Sequence, residues 1–271
     1  MTPVVVGLLA SATIAAFAWR VRALTAGGAL GAVVVGTIVY ALGGVGAAVV
    51  LVGFFASSSA LSRWGNDLDA GVVAKGGTRD ISQVLANGLV PAVTLVGMVF
   101  LPAAVDLWPA YVGAVGAATA DTWSTEIGMR SKGSPHIILG GRVVAPGTSG
   151  GVTPFGLAGA LAGGLAIGAL GAVVALLDPG VHGLPATTTL VAGTFAGLAG
   201  SIGDSLLGAT LQRVNWCPVC GVETEQTIHR CGTPTVYRRG LHWLDNDWVN
   251  LLATVIGALA GLLVGAISWY A

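Results

Sequence analysis

Charge is what this sequence has least of. Of 271 residues only 9% are charged, twelve basic and twelve acidic, against 54% hydrophobic residues and a mean hydropathy of +0.83. A soluble domain of that length needs far more charge, so the composition reads as a polytopic membrane protein. There is no basic tract, and so no sign of a nucleic-acid partner. No Walker A pattern occurs either, which leaves a P-loop fold unsupported. Met1 to Gly7 carries no basic residue, and Arg20 and Arg22 come only after the first apolar run. That order is wrong for a signal peptide and right for a retained helix. Cysteine is scarce too: the three all fall in one late loop.

What the chain has instead is glycine, 43 residues of it, with small-xxx-small spacings at Gly27/Gly31, Gly159/Gly163, Gly193/Gly197 and Gly257/Gly261/Gly265. Such spacings let helices approach closely in a bilayer. Apolar segments fall at about 3–19, 26–42, 45–62, 84–101, 108–127, 154–177, 187–212 and 248–270. The fifth is read as a span or as a broken, re-entrant helix. The expected fold is therefore an all-α bundle of about eight spans with glycine-rich packing. It forms one integral-membrane domain, 1–271, with loops at 63–83, 128–153 and 213–246.

Charge distribution supports that division. Arg20 and Arg22, then Arg63, Lys75 and Arg79, then Arg130, Lys132 and Arg142, and finally Arg213, Arg230, Arg238 and Arg239 all follow odd-numbered segments. The intervening connections have no basic residue. The positive-inside rule then puts these loops in the cytoplasm and both termini outside. The expected location is the plasma membrane, with the lipid bilayer as one partner and the site facing the cytoplasm.

The central stretch, Thr119 to Phe155, holds most of the candidate chemistry. Asp121 and Glu126 sit at the end of an apolar run, where ionisable groups are costly and usually functional. A loop with Arg130, Lys132 and Arg142 follows, then PGTSGGVTP. In that turn Gly147, Thr148, Ser149, Gly150 and Gly151 offer backbone N–H groups to an anion, and Thr153–Pro154 is a strong helix start. Segment seven contains GSIGDSLLGATLQR, with Asp204 followed by Ser205. Asp204 lies nine residues before Arg213 and Asp121 nine before Arg130. Both helices run the same way, so the two acids share a depth, roughly 13 Å along the helix from the first basic residue. They are candidates for holding Mg²⁺ together, with packing acids as the alternative. Asp121 and Glu126, five apart and about 140° around a helix, share a site only if the helix breaks.

Two further loops contribute. Lys75-Gly76-Gly77-Thr78-Arg79-Asp80 offers two cations, with Gln83 and Asn87 on one face of the next helix; phosphate binding and helix capping both explain them. The cysteine loop carries Cys217, Cys220, His229 and Cys231, a Cys₃His set of reasonable spacing for structural Zn²⁺, with reduced cysteines as the alternative. Asp245, Asn246, Asp247 and Asn250 then open the last segment, Asp247 as a dipole partner or a metal ligand. His136, His182 and His242 stand alone.

Taken in order, LTAGG, FFASSS, KGGTRD…QVLANG, ADTWSTEIG, PGTSGGVTPFG, GSIGDSLLGATLQ and LDNDWVN resemble a membrane family typified by the phytyl-phosphate kinase of chloroplast tocopherol synthesis. The resemblance spans nearly the whole chain. It implies a phosphotransferase that converts a prenyl monophosphate to its diphosphate. The GDS block is also similar to the nucleotide-binding part of CTP-dependent lipid kinases, which implies CTP, or another nucleoside triphosphate, as co-substrate with Mg²⁺. By that resemblance Lys75, Arg79 and Asn87 are phosphate-side residues. Asp121, Glu126, Asp204 and Asp247 are metal-side residues, and Gly147 to Gly151 form the phosphate loop. The rival reading is a transporter or flippase for a lipid or small anion. A homo-oligomer stays open.

Overall fold

The computed structural model describes residues 2–64, 77–101, 106–178 and 184–270. Among the described residues there are seven helices: α1 Pro3–Arg20, α2 Ala26–Trp64, α3 Ile81–Phe100, α4 Trp108–Met129, α5 Pro154–Leu177, α6 Ala186–Thr210 and α7 Asn246–Tyr270. Among the described residues six of them, all but α4, are long and apolar enough to cross a membrane. Their outward faces carry large exposed apolar side chains such as Phe17, Leu30, Phe100 and Leu177. Hydrocarbon, not water, is the solvent that suits such a surface.

The apolar segments 26–42 and 45–62 are joined in α2, whose helical geometry breaks at Gly44 (φ 64°, ψ −161°). A straight helix of its 39 residues would be about 58 Å long, nearly twice a hydrocarbon core. The chain instead doubles back. Arg63 Nη2 donates to the Val21 carbonyl at 2.5 Å, and Leu24 bridges to Arg79, whose guanidinium lies over Phe54. Both ends of α2 therefore lie at one end of the bundle, and its halves run antiparallel. Gly44 is where this reversal needs a left-handed residue.

Helix starts follow from local chemistry. Asp80 and Gln83 form a reciprocal capping box on α3, with Gln83 N donating to Asp80 at 3.0 Å and Asp80 N to Gln83 at 3.1 Å. Thr153 caps α5 by accepting from Gly156 N at 2.9 Å, with Pro154 as first helical residue. Gln83 is thus a capping group, one of the two roles its position allowed.

At the centre stands α4, buried at every residue from Trp108 to Ala120. It is continuous, so the broken-helix alternative does not hold. Glycine explains how other helices reach it. A Cβ on Gly116 would lie 2.8 Å from the Gly193 carbonyl of α6, and one on Gly159 of α5 would lie 2.8 Å from the Trp123 carbonyl. Between α4 and α6, Gly113 meets Ala196 and Ala117 meets Gly200. That register is parallel and advances one helical turn at a time.

The structure adds two small antiparallel sheets to the expected all-α fold. Strands β1 (His136–Ile137) and β2 (Gly151–Val152) flank the glycine turn. The cysteine loop folds as β3 (Val214–Cys217), β4 (Val222–Thr224) and β5 (Val236–Arg239), in the order β4-β3-β5.

Candidate functional site

The α4–α6 register runs 113↔196, 117↔200, and its next step is 121↔204. The small residues bring the backbones together and then place a carboxylate on each helix at the same level. The Asp121 and Asp204 carboxyl groups reach each other, and Asp204 Oδ1 is buried with no hydrogen-bond donor. Paired carboxylates with an unsatisfied buried oxygen suit a cation.

The two acids form the floor of a polar cavity of about 760 Å³, lined also by Ser124, Thr125, Gly147–Val152, Ser205, Gln212, Glu225 and Asn246. The glycine turn forms its wall. Gly147 (φ 83°) and Gly150 (φ 79°) take left-handed conformations. Gly150 packs on the backbone of Ala209 so closely that a Cβ would collide with it. Only glycine meets both demands there. The N–H groups of Gly147, Ser149 and Gly150 have no acceptor among the described residues. Together with the N-terminus of α5 they give the cavity an anion-binding edge.

Glu225, just past β4, supplies a third carboxylate that sequence reasoning missed. It accepts from Ser149 Oγ at 2.6 Å and from Gln212 Nε2 at 2.7 Å, and acts electrostatically on both aspartates. In sequence it reads as a solvated acid in a loop with four arginines. No local signal marks it. Gln212 is fully buried, an unusual state for glutamine at a helix end, and is the one hint of a polar partner.

The other expected site residues fall elsewhere. Asp247 lines a neighbouring cavity with Arg213, Glu225, Gln226, Thr227, Asp245 and Asn246, so Asn246 and Glu225 bridge the two spaces. Asn250, half-buried one turn along α7, lines neither. Glu126 turns away from Asp121, as continuous helix geometry requires. It pairs with Arg130 at 3.7 Å and acts on Arg79. Lys75 and His182 lie outside the described residues. His136 is in β1, and His242 stacks on Tyr237 at 4.0 Å.

Arg79 belongs to a second space on the other side of α4. Its backbone is tied to the α1–α2 connection, Arg79 N to the Ala23 carbonyl at 3.0 Å and Thr25 N to the Arg79 carbonyl at 2.9 Å. Its guanidinium carbon lies 5.2 Å from the Phe54 ring centre and 5.6 Å from that of Phe55, and its Nη1 is buried without a hydrogen-bond partner. Burial draws its pKa down to about 10 while Glu126 opposes the shift. It therefore stays charged at neutral pH. Around it runs a groove of about 690 Å³, walled by Ile14, Ala15, Val35, Leu51 and Phe55 and reached by Gln83 and Asn87. Asn87 Nδ2 is held by the Gln83 carbonyl at 3.0 Å. One cation at the head of an otherwise apolar groove suits an amphiphile with an anionic head.

Fold and site together define a multi-pass integral membrane protein with a carboxylate-and-glycine pocket at the basic end of its bundle. The chain belongs to the integral membrane protein family DUF92, whose family model matches residues 9–258. It is 31% identical over 269 residues to Protein PGR of Arabidopsis thaliana, covering 92% of this chain and 91% of that protein. It is also 28% identical over 261 residues to an uncharacterized membrane protein, MJ0933, of Methanocaldococcus jannaschii, covering 96% and 93% of the two chains. A membrane protein of Synechocystis, sll0875, is 28% identical over 238 residues. No solved structure matches.

Proposed function

We propose that this chain is a nucleotide-dependent prenyl-phosphate kinase that moves the terminal phosphoryl group of a nucleoside triphosphate, CTP in our reading, onto a prenyl monophosphate. The observation that carries it is the meeting of Asp121, Asp204 and Glu225 with the open N–H groups of the glycine turn in one pocket. Carboxylates alone repel a nucleotide, and N–H groups alone hold any anion. Their juxtaposition suits a phosphate chain that arrives with a divalent cation.

Asp121 and Asp204 would hold Mg²⁺, which when bound neutralises the donor phosphates and the charge that develops on the leaving group. The N–H groups of Gly147, Ser149 and Gly150 orient the same phosphates, with Ser205 and Thr125 as hydroxyl partners. The acceptor brings its own nucleophile, a phosphate oxygen, so no residue is needed as general base. That oxygen bonds to the terminal phosphorus as the bond to the bridging oxygen breaks, giving the prenyl diphosphate and a nucleoside diphosphate. Arg79 and Asn87 serve the acceptor, its hydrocarbon tail in the apolar groove and its phosphate on the guanidinium. Transfer then requires the acceptor's head to pass the end of α4, where Glu126 and Arg130 stand paired.

Within this proposal the bundle crosses the plasma membrane eight times, with α2 counted as two spans folded at Gly44 and α4 as one. The pocket opens to the cytoplasm, where nucleotide is available. Purified protein in nanodiscs, supplied with labelled nucleotide, Mg²⁺ and a panel of prenyl monophosphates, is expected to form labelled prenyl diphosphate. Movement of the lipid across the bilayer of sealed proteoliposomes without any diphosphate would favour the transporter reading instead.

A further inference from the structure

The cysteine loop is not used by the chemistry above, yet it is the segment that delivers Glu225. Its four soft donors are already gathered: the ligand atoms of Cys217, Cys220, His229 and Cys231 all lie within 4.8 Å of one another. Cys217 Sγ stands 3.6 Å from Cys231 Sγ, and His229 Nδ1 stands 3.2 Å from Cys231 Sγ. A disulfide needs about 2.05 Å. Two thiolates on one tetrahedral zinc, with bonds of about 2.3 Å, stand about 3.8 Å apart. The observed spacing is the second kind.

Two turns build the cluster. In Cys217-Pro-Val-Cys220-Gly221 the Cys220 N–H points to Cys217 Sγ at 3.4 Å, and Gly221 (φ 66°) lets the chain leave into β4. In His229-Arg-Cys231-Gly232 the Gly232 N–H donates to the His229 carbonyl at 2.8 Å, again with a left-handed glycine (φ 81°). The second turn lies between β4 and β5, so four ligands tie together every part of the loop's small sheet. Four protein ligands with two of them buried, Cys217 and His229, make a closed, structural site.

The sheet is in turn fastened to the polar pocket. Cys217 pairs with Val222, and Asn215 pairs with Thr224, the residue before Glu225. Asn215 Nδ2 also donates to the Gln226 carbonyl at 3.2 Å, the residue after it. At the far edge, Arg239 Nη1 donates to the Gly208 and Ala209 carbonyls, each at 3.3 Å, where α6 ends against the glycine turn. The position of Glu225 is thus set by the register between β3 and β4, and that register is pinned at the cysteine end.

We infer that Cys217, Cys220, His229 and Cys231 bind one Zn²⁺, and that this ion holds Glu225 in the pocket, so that zinc occupancy controls divalent-cation affinity at Asp121 and Asp204. The second half rests on the metal role proposed above for those aspartates; the first half does not. The full chain purified in detergent is expected to carry about one zinc per molecule, measured by elemental analysis. Exchange for Co²⁺ should give the intense visible bands and thiolate charge-transfer absorption of a tetrahedral sulfur-rich site. No retained zinc, or a weak octahedral cobalt spectrum, would overturn the zinc site.

Coupling is read with Mn²⁺ alone, by electron paramagnetic resonance. Stripping the zinc with a chelator should weaken Mn²⁺ binding about 10-fold, the usual scale for loss of an outer-shell support, and zinc returned to the same sample should restore it. Glu225→Gln, which leaves every cysteine in place, should weaken Mn²⁺ to the same degree and make it insensitive to zinc removal. Mn²⁺ affinity unchanged by either treatment overturns the coupling. None of these measurements depends on phosphoryl transfer, so their outcome is separate from that of the kinase proposal.

Discussion

The two halves of the bundle are packed by different rules. Around α4, helices α5, α6 and α7 meet it backbone to backbone. Gly113 faces the Gly257 carbonyl, Gly261 the Pro109 carbonyl, and between α5 and α6 a Cβ on Gly164 would lie 3.0 Å from the Gly193 and Thr194 carbonyls. Around α1 to α3 side chains supply most of the glycine contacts: Gly31 faces Ile81 and Val84, Gly88 faces Val35, and Gly7 faces Tyr40, while Gly28 sits against the Arg79 carbonyl. The first half holds a polar pocket whose carboxylates are fixed by helix register. The second leaves an apolar groove with one arginine at its head. A rigid frame suits the placing of phosphates and metal. A side-chain-lined groove suits a hydrocarbon tail of variable shape.

That contrast can be broken at its strongest point first. Asp121→Asn or Asp204→Asn keeps volume and removes the charge, and each is expected to lower kcat/KM about 10³-fold or more, with insertion and helix content unchanged by circular dichroism. Asp204→Asn with normal Mg²⁺-dependent turnover would make the pair packing groups only. Arg79→Ala is expected to raise the KM for the prenyl monophosphate about 10-fold, the scale of one charge-assisted hydrogen bond, and to leave the nucleotide KM unchanged. An equal rise in both would move Arg79 from the groove to the pocket.

Stability should separate the halves as well. Gly164→Ala must push α5 off α6 and is expected to cost about 1–3 kcal/mol, seen as a lower midpoint in thermal unfolding in detergent. Gly27→Ala places its Cβ 3.7 Å from Ile81, an ordinary contact. Its effect should be under about 1 kcal/mol and in the stabilising direction, because alanine is the better helix former. The smallest perturbation is a reporter fused at Gly221 or at the C-terminus, which should report opposite sides of the membrane. The same side for both would contradict the placing of the basic loops.

Much of the carboxylate pair is legible in the sequence. Asp121 and Asp204 share a distance to the following arginine on helices that run the same way, and depth in a bilayer follows from counting residues. The 140° between Asp121 and Glu126 likewise separates the two spaces, given an unbroken α4. Glu225 was not legible, because its place depends on the pairing of β3 with β4. The fold-back of α2 shows in sequence only as two apolar segments meeting at Gly43–Gly44. The small sheets do not show at all, since strands of two to four residues are too short for an alternating pattern to stand out. Arg79 stood out in the sequence as a cation beside a glycine pair, but its groove is made by helix segments that are far apart in the chain.

The most direct test of the central claim is a double-mutant cycle on the two aspartates. If Asp121 and Asp204 hold one cation on the donor phosphates, either single Asn variant already removes that site. The double variant should then be no slower than the slower single one, measured as Mg²⁺-dependent formation of prenyl diphosphate. Losses that multiply, each single variant retaining an independent share of turnover, would contradict a shared metal site.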